Sequence, residues 1–177
     1  LLLLDWHSGH IWTVARRSLT HQSSYNTGTL SPQSCWSLCA NTSRMLFLAG
    51  GGLGNLGHLI SLDLEVGILM ESDTMDLSEI ALWDNGHIAC LLPGAGGMYT
   101  VVLANLQGRN RETLLEIENQ SCRGLACDTE SHDLYLITDQ GLCRFRDGEQ
   151  ERLFGFMPGQ HEIDFKYADA LTAADNI

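Results

Sequence analysis

Apolar residues in this chain recur in short runs rather than at helical spacing. A short apolar segment that ends at a polar or turn position appears three times, at 37–41, 79–83 and 124–128. The second residues of these segments, Leu38, Ile80 and Leu125, are 42 and 45 positions apart. Runs of four to eight apolar or alternating residues bounded by turn residues are typical of β-strands. The pattern therefore predicts strands in a repeating unit.

Each first strand is followed by three more strands. The second strands are predicted at 45–49, 87–92 and 134–138, the third at 58–64, 99–106 and 141–146, and the fourth at 68–71, 112–117 and 150–154. A glycine turn closes each third strand, at Gly67, Gly108 and Gly148. Four strands in each repeat, separated by Gly, Asn and Asp turns, predict an all-β fold, a β-propeller built from four-stranded antiparallel blades.

The N-terminal residues fit the same repeat. Residues 1–5 and 10–15, on either side of a turn at 7–9, are predicted to be the last strands of a preceding blade. The predicted blades cover approximately 1–33, 34–76, 77–119 and 120–157, so 1–177 is about four blades of a partial propeller. Residues 158–177 are predicted to begin a further blade or to form a C-terminal extension.

The glycine-rich segment at 50–57 resembles a dinucleotide-binding fingerprint. Gly52, Gly54 and Gly57 have the spacing G-x-G-x-x-G. That fingerprint requires a helix directly after the glycines. Apolar residues at 60, 62 and 64 alternate with polar ones, which predicts a strand instead. We therefore expect a strand-to-strand loop and no bound cofactor.

Charge and composition narrow the classes of partner. The formal net charge is −12, and the chain contains one lysine, Lys166. Nucleic acids and anionic membranes recruit basic patches, so neither is an expected partner. No apolar run approaches the roughly 18 residues that a membrane span needs, so we expect no direct membrane contact from this segment. The expected partners are basic or apolar protein surfaces.

Six cysteines and two sequons bear on the cellular compartment. The cysteines form no C-x-x-C pair and suit either buried thiols or scattered disulfides, and we expect no metal site. Asn41 and Asn119 each begin an N-x-Ser triplet, and we expect them to be glycosylated on surface turns of a secreted protein.

Several segments resemble the YWTD repeats (class B repeats) of the low-density-lipoprotein receptor family. Residues 101–116 resemble the family's third and fourth strands. Residues 123–128 and 133–141 resemble its first two strands, with Thr138-Asp139 at the position of its Thr-Asp. Residues 4–6 and 10–15 are similar again, so the resemblance covers roughly 1–155.

The chain also departs from that family. Leu46-Phe47-Leu48-Ala49 and Ala89-Cys90-Leu91-Leu92 replace Tyr-Trp-Thr-Asp, and the motif's aspartate is kept at Asp5 and Asp139. The chain therefore resembles a divergent member, closer to the propellers of Sevenless/Ros-type receptors. NHL propellers use similar strand patterns and are an alternative.

The resemblance implies a six-bladed extracellular propeller that binds a protein ligand or co-receptor and has no catalytic activity. The chain would then be part of a receptor ectodomain or matrix protein, and the missing blades of the same ring would be among its partners. One alternative is an intracellular propeller scaffold in a larger assembly. Another is a calcium-dependent lactonase or esterase of the SMP-30 type, which would hold its metal on the propeller axis. Leu38, Ala81 and Ala126 near the expected axis are not metal ligands, which counts against the enzyme.

The expected binding face follows from propeller geometry. Loops that join second to third strands share a face with those that join a fourth strand to the next blade. That face would carry the loops at 50–57 and 93–97, and its candidate contact residues are Trp6, His7, Asp73, Asp76, Asp139 and Gln140. Trp6 beside acidic residues suits a basic or apolar peptide. The alternative is that Trp6 packs between blades, and we expect Trp36 and Trp83 to fill the core.

Overall fold

The computed structural model describes residues 2–5, 10–14, 21–26, 35–40, 45–51, 57–63, 67–72, 76–118 and 120–155. Their strands are β1 Leu2–Asp5, β2 His10–Val14, β3 His21–Asn26, β4 Cys35–Ala40, β5 Met45–Gly51, β6 Gly57–Asp63, β7 Gly67–Glu71, β8 Glu79–Leu82, β9 His87–Pro93, β10 Tyr99–Asn105, β11 Glu112–Ile117, β12 Cys122–Cys127, β13 Leu134–Thr138, β14 Gly141–Arg146 and β15 Glu149–Gly155. A short 3₁₀ turn at Ala95–Gly97 lies between β9 and β10.

The strands form four antiparallel sheets, each made of strands that follow one another in the chain. One sheet has the order β1-β2-β3, and the other three have four strands each, β4 to β7, β8 to β11 and β12 to β15. The predicted all-β fold with four-stranded antiparallel sheets is confirmed. The chain divides into two compact units, Leu1–Leu77 and Ser78–Ile177.

The sequence pattern missed one strand, β3. Its sequence, His-Gln-Ser-Ser-Tyr-Asn, contains a single large apolar residue, Tyr25, and so gives no alternation of apolar and polar positions. Its backbone nevertheless pairs with β2 from His10↔Asn26 to Val14↔His21. Pairing with a neighbouring strand, rather than the periodicity of its own side chains, makes this segment a strand.

The same irregularity, one extra residue, occurs in all four sheets. The last strand of each sheet, β3, β7, β11 and β15, contains one residue more than the strand it pairs with at that point. The extra residues are Gln22, Leu69, Leu114 and Leu153. Such a β-bulge bends the strand and increases its twist. The four sheets therefore share a local geometry that the repeat spacing alone did not predict.

In the first unit, the glycine-rich segment leads into a strand, as predicted. Gly51 of β5 pairs with Gly57 of β6, and the strand continues to Asp63. Leu59, Ile60 and Leu62 of β6 are buried. The backbone N–H of Leu59 donates to the hydroxyl of buried Ser72, at 2.9 Å. The residues after the glycines are thus packed as sheet and provide no helix N-terminus for a pyrophosphate.

In the second unit, two sheets pack face to face. Strand β8 lies against β12, and an apolar cluster fills the space between the sheets. The cluster contains Ala81, Ala89, Leu91, Val101 and Ile117 from the first sheet and Cys122, Leu125, Cys127, Leu134, Leu136, Cys143 and Phe145 from the second. Trp83, Tyr99, Leu114 and Leu115 are partly buried against it. The expectation that Trp83 contributes to the core agrees with this position.

A ring stack fixes the relative direction of these two sheets. Trp83 directly follows β8, and His132 lies between β12 and β13; their rings are 4.7 Å apart and inclined by 6°. The loops that follow β8 and β12 therefore lie at the same end of the sheet pair. We call this the Trp83 end, comprising 83–86, 106–111, 128–133 and 147–148. The opposite end, which we call the Met98 end, comprises 94–98, 118, 120–121 and 139–140.

Candidate protein-binding surface

The structure describes three of the six residues predicted to contact a partner. Asp76, Asp139 and Gln140 are exposed. Asp76 belongs to the first unit, whereas Asp139 and Gln140 lie at the Met98 end of the second. Trp6, His7 and Asp73 lie outside the described residues, and so do Asn41 and Asn119.

Hydrogen bonds to its backbone groups fix the turn that carries Asp139 and Gln140. The hydroxyl of Thr138 accepts from the backbone N–H of Gln140 at 3.1 Å and donates to the carbonyl of Gly141 at 3.3 Å. The backbone N–H of Asp139 donates to the carbonyl of Ser121 at 3.1 Å. The turn after β13 is therefore tied to the segment that enters β12. The two exposed side chains project from a fixed backbone.

The loop between β9 and β10 supplies an apolar group at the same end. The backbone N–H of Gly94 donates to the carbonyl of Met98 at 2.8 Å and closes the loop. Gly96 and Gly97 have φ angles of 72° and 80°, which residues with a Cβ rarely adopt. Met98 is 38% exposed. Sequence analysis placed the loop on this face but missed Met98, for which the available signal was its position directly after the Gly96-Gly97 pair.

The Met98 end is acidic and contains an unsatisfied acceptor. Glu118 and Asp139 are exposed. The Oε1 atom of Gln120, in the segment before β12, is buried and accepts no hydrogen bond from the described part of the chain. An exposed thioether beside carboxylates can contact a partner that has both apolar and cationic groups, because methionine adapts its shape and carboxylates accept hydrogen bonds.

At the Trp83 end, by contrast, carboxylates are used to build turns. Asp84 accepts from the backbone N–H of Gly86 at 2.6 Å and pairs with the Nδ1 of His87 at 2.9 Å. Asp128 accepts from the backbone N–H groups of Glu130 at 2.9 Å and Ser131 at 3.3 Å. These backbone hydrogen bonds lower the pKa of Asp128. The carboxylates of Asp84 and Asp128 therefore stabilise the turns that follow β8 and β12.

One ion pair at the Trp83 end joins a buried carboxylate to an exposed guanidinium. Asp133, which is 1% exposed, accepts two hydrogen bonds from the Arg146 guanidinium, with Nε 2.5 Å from Oδ1. Nη1 of Arg144 lies 3.8 Å from Asp133 Oδ2, and Nη2 of Arg144 pairs with Glu151. The hydrogen bond from Arg146 lowers the pKa of Asp133. Sequence analysis did not predict this network, because its members are brought together by the pairing of β14 with β13 and with β15.

The described residues contain no group of three or more His, Cys, Asp or Glu side chains arranged to hold a metal ion. Cys90, Cys122, Cys127 and Cys143 are buried and form no disulfide. Burial raises the pKa of Cys90, Cys122 and Cys127 to about 12. With a pKa this high, the three thiols are protonated at neutral pH and are therefore poor nucleophiles.

Because thiol reagents attack the thiolate, we expect these cysteines to react with maleimide at pH 8 about a thousandfold more slowly in the native protein than in the unfolded chain. The check is timed labelling followed by peptide mapping, with and without guanidinium. Labelling of Cys90, Cys122 or Cys127 in the native protein at the unfolded rate would show that these thiols are accessible and ionised.

Comparison with known proteins addresses the fold. No family model matches the chain. A chain in the crystal structure of a nidogen/laminin complex aligns with a TM-score of 0.66 at 15% identity, covering 87% of this chain and 60% of the other. The described sheets are β-propeller blades. The extracellular domain of a putative one-component system from B. thetaiotaomicron aligns with a TM-score of 0.53 at 16% identity, over 92% of this chain and 22% of the other.

A comparison with curated proteins finds a much shorter likeness. Twenty residues of the chain are 95% identical to part of a glutamine synthetase from Thermus thermophilus and 90% identical to part of one from Staphylococcus aureus. The match covers 11% of this chain and 4% of each curated relative's length.

Among the residues that the structure describes, no helix is long and apolar enough to cross a membrane.

Proposed function

We propose that this chain is part of a non-catalytic, extracellular protein-binding propeller in a receptor or matrix protein, and that it is a divergent relative of the YWTD propellers. The observation that carries the proposal is the Met98 end of the second unit. There, Met98, Glu118, Asp139 and Gln140 are exposed, and backbone hydrogen bonds fix two of the loops that bear them. Fixed loops on a rigid scaffold are where binding residues concentrate.

The comparisons support a binding module. One structural neighbour was crystallised as a nidogen/laminin complex, and another is described as an extracellular domain. The polar side chains of the second unit also favour binding over catalysis, because Asp84, Asp128 and Asp133 of the Trp83 end are engaged in turns and an ion pair. A partner surface with basic and apolar groups suits both the net charge of −12 and the exposed Met98.

Reversing one charge at the Met98 end tests this proposal. We expect Asp139→Lys to weaken binding to the cognate ectodomain about tenfold or more, since it places a cation against a basic partner. Glu130→Lys is the matched control: it makes the same charge change at an exposed position of the Trp83 end. Binding is measured by biolayer interferometry against a panel of secreted and cell-surface ectodomains. No binding ectodomain in the panel, or equal loss in both variants, contradicts the proposal.

The second candidate is an intracellular propeller scaffold. The observation that favours it is the absence of disulfides among Cys90, Cys122, Cys127 and Cys143, because oxidising compartments commonly pair cysteines. Glycosylation at Asn41 or Asn119 distinguishes the two candidates, because only secretory proteins receive N-glycans.

The proposed propeller contains more blades than the structure describes. The chain spans 60% of the neighbour from the nidogen/laminin complex, and an incomplete propeller exposes blade faces. We therefore propose that these blades belong to a six-bladed ring whose other blades are supplied from outside the described residues.

A further inference from the structure

The two sheets of the second unit correspond residue by residue. The hairpin β8–β9 ends with the pair Leu82↔Ile88, and the hairpin β12–β13 ends with Cys127↔Leu134. When the residues of the two sheets are aligned from these pairs along the observed strand register, the β-bulges of the last strands fall at equivalent positions. The extra residue is Leu114 in β11 and Leu153 in β15. The correspondence therefore holds across all four strands.

This correspondence singles out a second apolar face of the β12–β15 sheet. The face of the β8–β11 sheet that packs on its neighbour includes Ala81, Ala89, Leu91, Val101 and Leu115. The equivalent positions of the β12–β15 sheet are Ala126, Tyr135, Ile137, Leu142 and Phe154. They lie on the face opposite the apolar cluster, because side chains alternate across a strand. The β12–β15 sheet thus has small, aliphatic and aromatic side chains at the positions that the β8–β11 sheet uses to pack on another sheet.

The burial of this second face is incomplete. Ala89 and Val101 are 0% exposed, whereas their equivalents Tyr135 and Leu142 are half-buried. Ala126 and Ile137 of the same face are buried. Phe154 is 51% exposed, although its equivalent Leu115 is packed against the cluster. An apolar sheet face with an aromatic side chain at this exposure marks an interaction surface.

We propose that the face formed by Ala126, Tyr135, Ile137, Leu142 and Phe154 is the docking surface for a further four-stranded antiparallel sheet of the same ring. This inference rests on the proposed partial ring. The required partner is a sheet face of apolar residues, like the face of Leu125, Leu134, Leu136 and Phe145 that receives the β8–β11 sheet. The Arg144–Glu151 pair lies on the docking face and keeps part of its rim polar.

Hydroxyl-radical footprinting tests the docking surface in two samples, the protein from its native source and the isolated 177-residue chain. In the native-source protein we expect Tyr135, Leu142 and Phe154 to be oxidised at least about tenfold more slowly than in the isolated chain. His87, whose side chain is 47% exposed and lies outside both the docking face and the Met98 end, is the internal control for the dose of radicals.

Three outcomes overturn the inference. Equal oxidation of Tyr135 and Phe154 in the two samples would mean that no sheet covers the face. Protection in the isolated chain that grows with its concentration would show that a second copy is the occupant. Protection of Met98 alone would locate burial at the end of the sheets instead. The outcome is independent of the Asp139→Lys binding assay, so failure of the docking inference and failure of the proposed function are distinguishable.

Discussion

Gly141→Ala is expected to destabilise the second unit by about 4 kcal/mol, a large part of a typical domain's stability. Gly141 begins β14 with a φ of 124°, which L-residues rarely adopt. A Cβ there would lie 1.9 Å from the backbone carbonyl oxygen of Phe154 and 2.9 Å from the Cα of Gly155. Both contacts are with the backbone of β15, so relief requires the strand to move. Chemical denaturation followed by circular dichroism measures the loss.

Gly148→Ala is the matched control. Gly148 has a φ of 79° and forms, with Asp147 at 52°, the two-residue turn between β14 and β15. Positive φ at both positions is the geometry of a type I′ hairpin. A Cβ at Gly148 would meet no atom within 4 Å, so this variant is destabilised only by the backbone strain of alanine at a positive φ, by about 1 kcal/mol. Equal losses in the two variants would contradict the close approach of β14 and β15 at Gly141.

Asp133→Asn is expected to destabilise the protein by about 2–3 kcal/mol at pH 7. Asp133 is 1% exposed, and its carboxylate accepts two hydrogen bonds from the Arg146 guanidinium. The variant keeps the side-chain shape but removes the charge that Arg146 pairs with. Asp147→Asn, a neighbouring exposed position whose positive φ suits Asn, is the control and should change stability by no more than about 0.5 kcal/mol.

The stability contributed by Asp133 depends on pH in a direction that can be checked. The hydrogen bond from Arg146 holds the folded-state pKa of Asp133 below the unfolded value of about 3.9. The contribution is therefore complete above the unfolded pKa and is lost as the pH falls through the folded pKa. The difference in unfolding free energy between wild type and Asp133→Asn should shrink as pH falls below about 4. A difference that is independent of pH from 7 to about 3 would show that the charge of Asp133 is not involved.

The strands were predictable where their own side chains alternate. Strands β11, β13 and β14 begin and end at the predicted residues, and β6 follows the glycine run as expected. Strand β3 was not predictable, because its polar sequence pairs through its backbone. The bulges at Leu114 and Leu153 were also missed, since a one-residue insertion leaves no trace in hydrophobic spacing of this length.

The candidate surface was predictable as a set of loops and less so as a set of side chains. Asp139 and Gln140 are exposed on the predicted turn, but Met98 was not identified. The Asp133–Arg146 pair and the Trp83–His132 stack join residues that are 13 and 49 positions apart. Such pairs depend on strand register and on packing between sheets, which a single sequence does not specify.

The most direct test of the extracellular propeller is peptide mass spectrometry of the protein from its native source, with and without N-glycosidase. The account predicts hexose-bearing peptides that contain Asn41 or Asn119 and lose that mass on treatment. Unmodified peptides at both asparagines, together with free thiols at all six cysteines, would contradict an extracellular module and favour the intracellular scaffold.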